Sequence, residues 1–325
     1  MEKEKNIKKE SEDLDKTKIL NESGGMDKKK VIKFIVITFA ILYTIQIIAS
    51  CLLLKIEGMK GKTIFQVGLI ICMFVPTVSA LFSKADFKSM GWKPKFKGNI
   101  KWIFFSVLIP NVFLILGCVL FFLIFSDLFS LDGSYLIKSF EGVIDQEQID
   151  AALHKAGMSI KMTILITFIQ CLTEASFINM LVAVGEEAGW RGFLYPEFRK
   201  GFSRVNTWLI GGVVWGLFHF PCIIIAGYEY GLTYIGAPVL GPIVFIIFCI
   251  AEGIISEIID DKTKCIWYPS LFHGTINTAT IVLFLLNGNQ KEKIERLFIL
   301  GPFPNGLISM IPLIIITIVK WLSKY

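Results

Sequence analysis

Long apolar runs, separated by short polar stretches, make up most of the chain after position 30. A helix of about 20 apolar residues crosses the hydrocarbon layer of a bilayer. The pattern therefore predicts eight such helices, at roughly 32–54, 63–83, 102–126, 160–185, 206–226, 232–259, 267–287 and 298–322. Gly and Pro interrupt the last four, which is tolerated where neighbouring helices or cavities satisfy the freed backbone groups. Residues 1–30 mix Lys, Glu, Asp and Ser with almost no apolar content and read as a disordered tail. The tail is not read as a secretory signal, because the apolar run behind it is too long and no small-residue cleavage site follows. The predicted class is an all-α, polytopic membrane protein with about eight transmembrane helices around a cytoplasm-facing intramembrane cavity. Residues 31–325 form the transmembrane domain.

Composition agrees with this reading. The chain is 54% hydrophobic and 18% charged, with a mean hydropathy of +0.64, which excludes a disordered chain and argues against an ordinary soluble domain. Seven scattered cysteines without a Cys-x-x-Cys pair argue against a disulfide framework or a cysteine-ligated metal. The net charge of +6 reports topology rather than nucleic-acid binding. Ten lysines lie between Met1 and Lys33, six more occupy 84–101, and Arg191, Arg199, Lys200 and Arg204 follow the fourth run, whereas 127–159 is acidic. The positive-inside rule then places the protein in the cell membrane as a multi-pass chain with both termini cytoplasmic. It also places Glu186 and Glu187 at the cytoplasmic end of the fourth span.

Polar residues concentrate in spans four to seven: Glu174, Asn179, Glu186, Glu187, His219, Glu252, Glu257, His273 and Asn277. Ionisable groups in or near the hydrocarbon layer are costly and mark function by default. Glu187 and Arg191 are four apart and share a helix face. Glu186 is offset by about 100°, so one carboxylate is pinned by the guanidinium while the other faces a cavity and suits general acid–base work. An interfacial ion pair capping a helix end is the bland alternative. His219 follows Trp215 by one turn and precedes Pro221, which should kink the span; taken alone, it reads as a packing histidine. His273 and Asn277 are again four apart. Paired donors on one rigid face fit an oxyanion site, or equally an interhelical hydrogen bond. His154, in the acidic loop, reads as ordinary. Glu252 is a candidate lining residue or a packing one.

Taken in order, Glu-Glu-x-x-x-Arg (186–191), Trp-x-x-x-His (215–219) and His-x-x-x-Asn (273–277) resemble the motifs of the CPBP intramembrane protease family. That family takes in CAAX prenyl endopeptidases, lysostaphin-resistance-like proteins and bacteriocin-processing or self-immunity proteins. The resemblance covers about 180–280 and the eight-span layout, with the catalytic core placed at about 160–290; it departs in having Trp215 where the family usually has Phe, a conservative change. It implies an intramembrane endopeptidase in which Glu186 activates the attacking water and His219 assists. Glu187 and Arg191 organise the site, and His273 and Asn277 stabilise the oxyanion. It implies a peptide or protein substrate at the lipid surface, either prenylated or carrying a leader, and no nucleic acid. No His-Glu-x-x-His is present and a glutamate mechanism needs no cofactor; the alternative is zinc held by Glu186, His219 and His273. A catalytically silent immunity protein and a proton-coupled transporter are the readings from other classes.

Overall fold

Asp27 opens the first helix by accepting the Lys30 backbone N–H at 3.1 Å. The computed structural model describes residues 25–139 and 146–322. Most of the expected 1–30 tail lies outside the described residues, and its last positions, from Lys28, are already helical. The described elements are helical, beginning with α1 (Lys28–Lys55), α2 (Gly58–Phe82) and α3 (Ile100–Ile124). The acidic loop carries two short helices, α4 (Ser134–Ser139) and α5 (Gln146–Lys155). Next come α6 (Ile160–Leu172), α7 (Glu174–Gly189), a π-helical turn over Trp190–Leu194 and α8 (Tyr195–Arg199). The chain continues through α9 (Arg204–Phe218), α10 (Phe220–Ala226), α11 (Leu240–Thr263) and α12 (Trp267–Ile276). A 3-10 segment, Asn277–Leu285, leads to α13 (Lys291–Leu297) and α14 (Ile311–Leu322).

Among the described residues, five helices are long and apolar enough to cross a bilayer, or six if the bent pair α6 and α7–α8 counts as one span. Of the eight spans expected from hydropathy, several are broken, including the Gly- and Pro-bearing ones, for local reasons. The fourth bends by 49° at Thr173, whose backbone leaves helical geometry (φ −126°, ψ −108°). Ser176 Oγ donates to the Cys171 carbonyl at 2.5 Å beside that break. The fifth breaks at His219 ahead of Pro221, as its sequence predicts. The sixth begins at Leu240 rather than near 232, after turns that contain Gly236 and Pro238. The seventh is α-helical for ten residues and then tightens to 3-10 geometry. Gly301, Pro302, Pro304 and Gly306 confine the helix of the eighth to α14.

The solvent logic is that of lipid. Ile32, Val36, Ile71, Phe104 and Leu123 are exposed, whereas Glu186, Glu187, Arg191, Glu252 and His273 are buried. This is the reverse of a water-soluble fold and agrees with a membrane protein. At the centre, α7 packs against both α2 and α12, and α9 against α11. Small residues permit these contacts, as is common between membrane helices. A Cβ on Gly189 would lie 2.6 Å from the Pro76 carbonyl carbon, and one on Gly274 would lie 2.7 Å from that of Asn179. Thr77 Oγ1 also donates to the Gly185 carbonyl at 2.5 Å, tying α2 to the last turns of α7.

The lysine and arginine asymmetry yields a topological test. Lys95→Cys and Arg199→Cys variants should react with membrane-impermeant maleimides from the cytoplasmic side alone; both positions are exposed. Labelling of either one in intact cells would invert the proposed orientation.

Candidate functional site

The final turn of α7 presents Glu186 and Glu187 side by side, and both are buried. Glu187 Oε1 receives two donors: Arg191 Nη1 at 2.9 Å and His273 Nδ1 at 3.0 Å. The Glu187 and Arg191 side chains are fully enclosed. The expected i, i+4 pair is therefore formed, although the backbone has widened to π geometry at Arg191; such bulges recur at functional sites. The guanidinium lies over two rings, 4.5 Å from the centroid of Trp215 and 4.9 Å from that of Tyr195, a cation–π arrangement suited to a dry site. One ion pair thus gathers α7, the π turn, α8, α9 and α12.

Glu186 is held differently. Its Oε2 accepts from Trp215 Nε1 at 2.7 Å and from Trp190 Nε1 at 3.2 Å. The Trp215 carbonyl lies 3.1 Å from His219 Nδ1. A carbonyl there assigns the proton to Nδ1, leaving Nε2 as the ring's acceptor. Trp215 therefore positions both Glu186 and His219, one through its indole and one through its backbone. The indole N–H is a donor that a phenyl ring lacks, and here it is spent on Glu186. His219 stands at the break between α9 and α10 and is half-buried. Its ring lies parallel to Tyr228, with centroids 6.3 Å apart, and edge-on to Phe245 at 4.7 Å.

The expected residues do not all converge. Glu186, Glu187, Arg191 and His273 form one buried group, with His219 joined through Trp215. His273 is buried and Asn277 is exposed. The reason is that α12 stops at Ile276, so Asn277 is a C-cap that begins the 3-10 segment. Asn277 keeps helical backbone angles and donates its N–H to the His273 carbonyl, so it follows His273 by one turn at the exposed end of the helix. Glu252 joins the group from α11: it is 2% exposed, Oε1 has no partner, and His273, Glu187, Arg191 and Glu186 are within electrostatic range. Tyr195 is a further member that motif spacing did not single out; its place eight residues after Glu187 is a helical signal. Glu257 goes elsewhere, to Arg199, Arg204 and the Trp208 indole.

Zinc ligands must meet at one point, each about 2 Å from the ion. Among the described residues, no three His, Cys, Asp or Glu side chains are so placed. Glu186, His219 and His273 do not fit a zinc centre in this arrangement, with Glu186 Oε2 turned to the indoles and His219 Nδ1 to a carbonyl. What the group offers is proton chemistry: a carboxylate held by neutral donors, an imidazole with a free nitrogen, and a charged line that fixes the second imidazole.

Comparison with known proteins bears on the same segment. Residues 163–279 match the family described as Type II CAAX prenyl endopeptidase Rce1-like. A stretch of 115 residues is 27% identical to CAAX prenyl protease 2 of Methanococcus maripaludis. That stretch covers 35% of this chain and 39% of the relative. Glu186, Glu187, Arg191, His219, His273 and Asn277 all lie within the family segment.

The double role of Trp215 is testable. Trp215→Phe keeps the carbonyl that faces His219 and removes the donor to Glu186. A hydrogen bond to a charged group contributes about 1.5–3 kcal/mol, so kcat should fall roughly tenfold to a hundredfold with KM little changed. An unaltered kcat in Trp215→Phe would show that Glu186 needs no indole donor.

Proposed function

Starting from a chain whose residues 163–279 match the Rce1-like endopeptidase family, we propose that this protein is an intramembrane endopeptidase. In this reading it hydrolyses a peptide bond of a membrane-associated or leader-bearing substrate, with water activated by a glutamate and a histidine. The observation that carries it is the single bridge made by Trp215, whose indole holds Glu186 and whose carbonyl faces His219.

The chemistry is as follows. Glu186 accepts a proton from water as its oxygen attacks the substrate carbonyl carbon. His219 Nε2 accepts the water's second hydrogen bond and orients it. The proton on Glu186 then passes to the leaving amine as the C–N bond breaks, leaving a carboxylate and a free amino terminus. His273, held on Glu187 through Nδ1–H, acts as the imidazolium, whose Nε2–H donates to the developing oxyanion, and Asn277 is assigned as the second donor, by resemblance to the family motif. Glu187 and Arg191 keep this imidazole in place. The relative's name supports a prenylated carboxy-terminal peptide as one substrate class; a leader peptide is the other, reached by the same surface chemistry.

Glu186→Gln is the decisive variant, since it keeps the shape and removes the base. Loss of a general base costs about 10²–10⁴-fold. New peptide termini that appear in membranes with the wild-type chain should vanish with Glu186→Gln at equal protein level. Retention of more than about a tenth of the rate would remove Glu186 from this role, and an unchanged phenotype would favour a silent immunity protein.

A further inference from the structure

The turn between α10 and α11 holds a second acidic centre that the motifs do not include. Glu229 has φ +70°, one of three non-glycine residues with positive φ among those described. The other two, Lys84 and Lys264, are exposed and follow helix ends, where a left-handed residue is routine. Glu229 is in neither situation, and such strain persists where surrounding structure enforces it, often at functional sites.

What surrounds it is specific. Glu229 Oε2 accepts from Asn305 Nδ2 at 2.7 Å, and the Tyr228 hydroxyl adjoins the same carboxylate. Asn305 is 2% exposed, and its Oδ1 has no partner. The Asn305 backbone carbonyl takes the Tyr230 hydroxyl at 2.9 Å, which fixes the residue in place. Tyr228 is also the ring that lies parallel to His219, and it is within electrostatic range of both Glu229 and Glu186. His219, Tyr228 and Glu229 are each partly accessible. The second acidic centre therefore adjoins the proposed hydrolytic one along an accessible line of side chains.

Charge decides what fits there. Glu186 is held by two indoles, and Glu229 by an amide and a phenol. Among the described residues Glu229 has no cationic partner, whereas Glu186 has His273 within electrostatic range; Arg191 is engaged by Glu187. A buried carboxylate without a countercharge is costly. Burial pushes the Glu229 carboxyl above its ordinary range, against the hydrogen bonds from Tyr228 and Asn305; an arriving cation would favour the charged form. The unmet Asn305 Oδ1 wants a donor as well. A lysine or arginine side chain supplies both a positive charge and several N–H groups, and the Tyr228 face offers a cation–π wall.

We propose that Glu229 and Asn305, with Tyr228 as a wall, form a subsite for a cationic side chain of the peptide substrate, close to the bond cleaved at Glu186 and His219. This rests on the endopeptidase reading, and the test separates the two. Full-length protein in lipid nanodiscs is given peptides of one sequence in which a single lysine is moved along the chain, each beside its norleucine isostere. At one position the wild type should prefer lysine over norleucine in kcat/KM by about tenfold or more, mainly through KM, following the cost of leaving buried polar groups unpaired. Glu229→Gln keeps an acceptor for Asn305 and removes the charge, so the ratio should fall towards one. Equal ratios in wild type and Glu229→Gln, or no lysine preference in the wild type, would overturn the subsite and leave Glu229 as a latch between the turn and the Asn305 segment. If the wild type cleaves none of the set, the endopeptidase reading fails by itself. Binding of the same labelled peptides then decides the subsite: tighter for lysine in wild type and equalised in Glu229→Gln supports it, and no difference overturns it.

Discussion

The buried pair of Glu187 and Arg191 is the interaction on which the rest of the site depends. Neither side chain has accessible surface, and their contact is 2.9 Å. Two charges brought into such a place lose several kcal/mol of hydration each, and their attraction offsets this only with good geometry and further partners. Those partners are the architecture. His273 Nδ1 shares Glu187 Oε1 from α12, while the rings of Trp215 and Tyr195 cover the guanidinium from α9 and α8. Close helix approach at Gly189 and Gly274 keeps the group compact. Tyr195 Oη, Arg191 Nε and Nη2, Glu187 Oε2 and Glu252 Oε1 are buried without protein partners. They give the site the polar lining that internal water requires.

Against that fixed charge, Glu186 has a different character. Its partners are neutral indole donors, which orient a carboxylate without cancelling its charge. The two adjacent glutamates are thereby separated in role by environment: one builds the scaffold and the other is left to move protons, the division by which paired carboxylates take on distinct chemistry. His219, at a helix break enforced by Pro221, is stiffened by three aromatic rings and the Trp215 carbonyl. Preorganisation of this kind is what a site needs to act on a transient oxyanion or water.

Much of this was legible in the chain. The Glu187–Arg191 spacing, the break at Pro221 and the clustering of ionisable residues in the later runs follow from helix periodicity and the price of charge in lipid. Gly and Pro announced interruptions in the last runs, but apolar content does not report their form: 267–287 tightens to 3-10 geometry and 298–322 begins with Gly-Pro turns. The widening at Arg191 was not predicted: Gly192 weakens the helix there, but a glycine does not by itself specify π geometry. Asn277 caps α12 one turn after His273, and four-residue spacing alone does not report that this position is exposed. The tertiary partners of Glu252, Tyr195 and Glu229 lie on distant segments, and a pattern read along one helix does not bring them together.

The central claim is that the enclosed ion pair acts as a unit. A double-mutant cycle on Glu187→Leu and Arg191→Met, read by unfolding of the full-length protein in lipid bicelles, measures this directly. Each single change should cost about 3–5 kcal/mol by stranding a buried charge, whereas the double change should cost far less than the sum. Single effects that add, with a coupling near zero, would contradict the account and reduce Glu187 and Arg191 to independent packing residues.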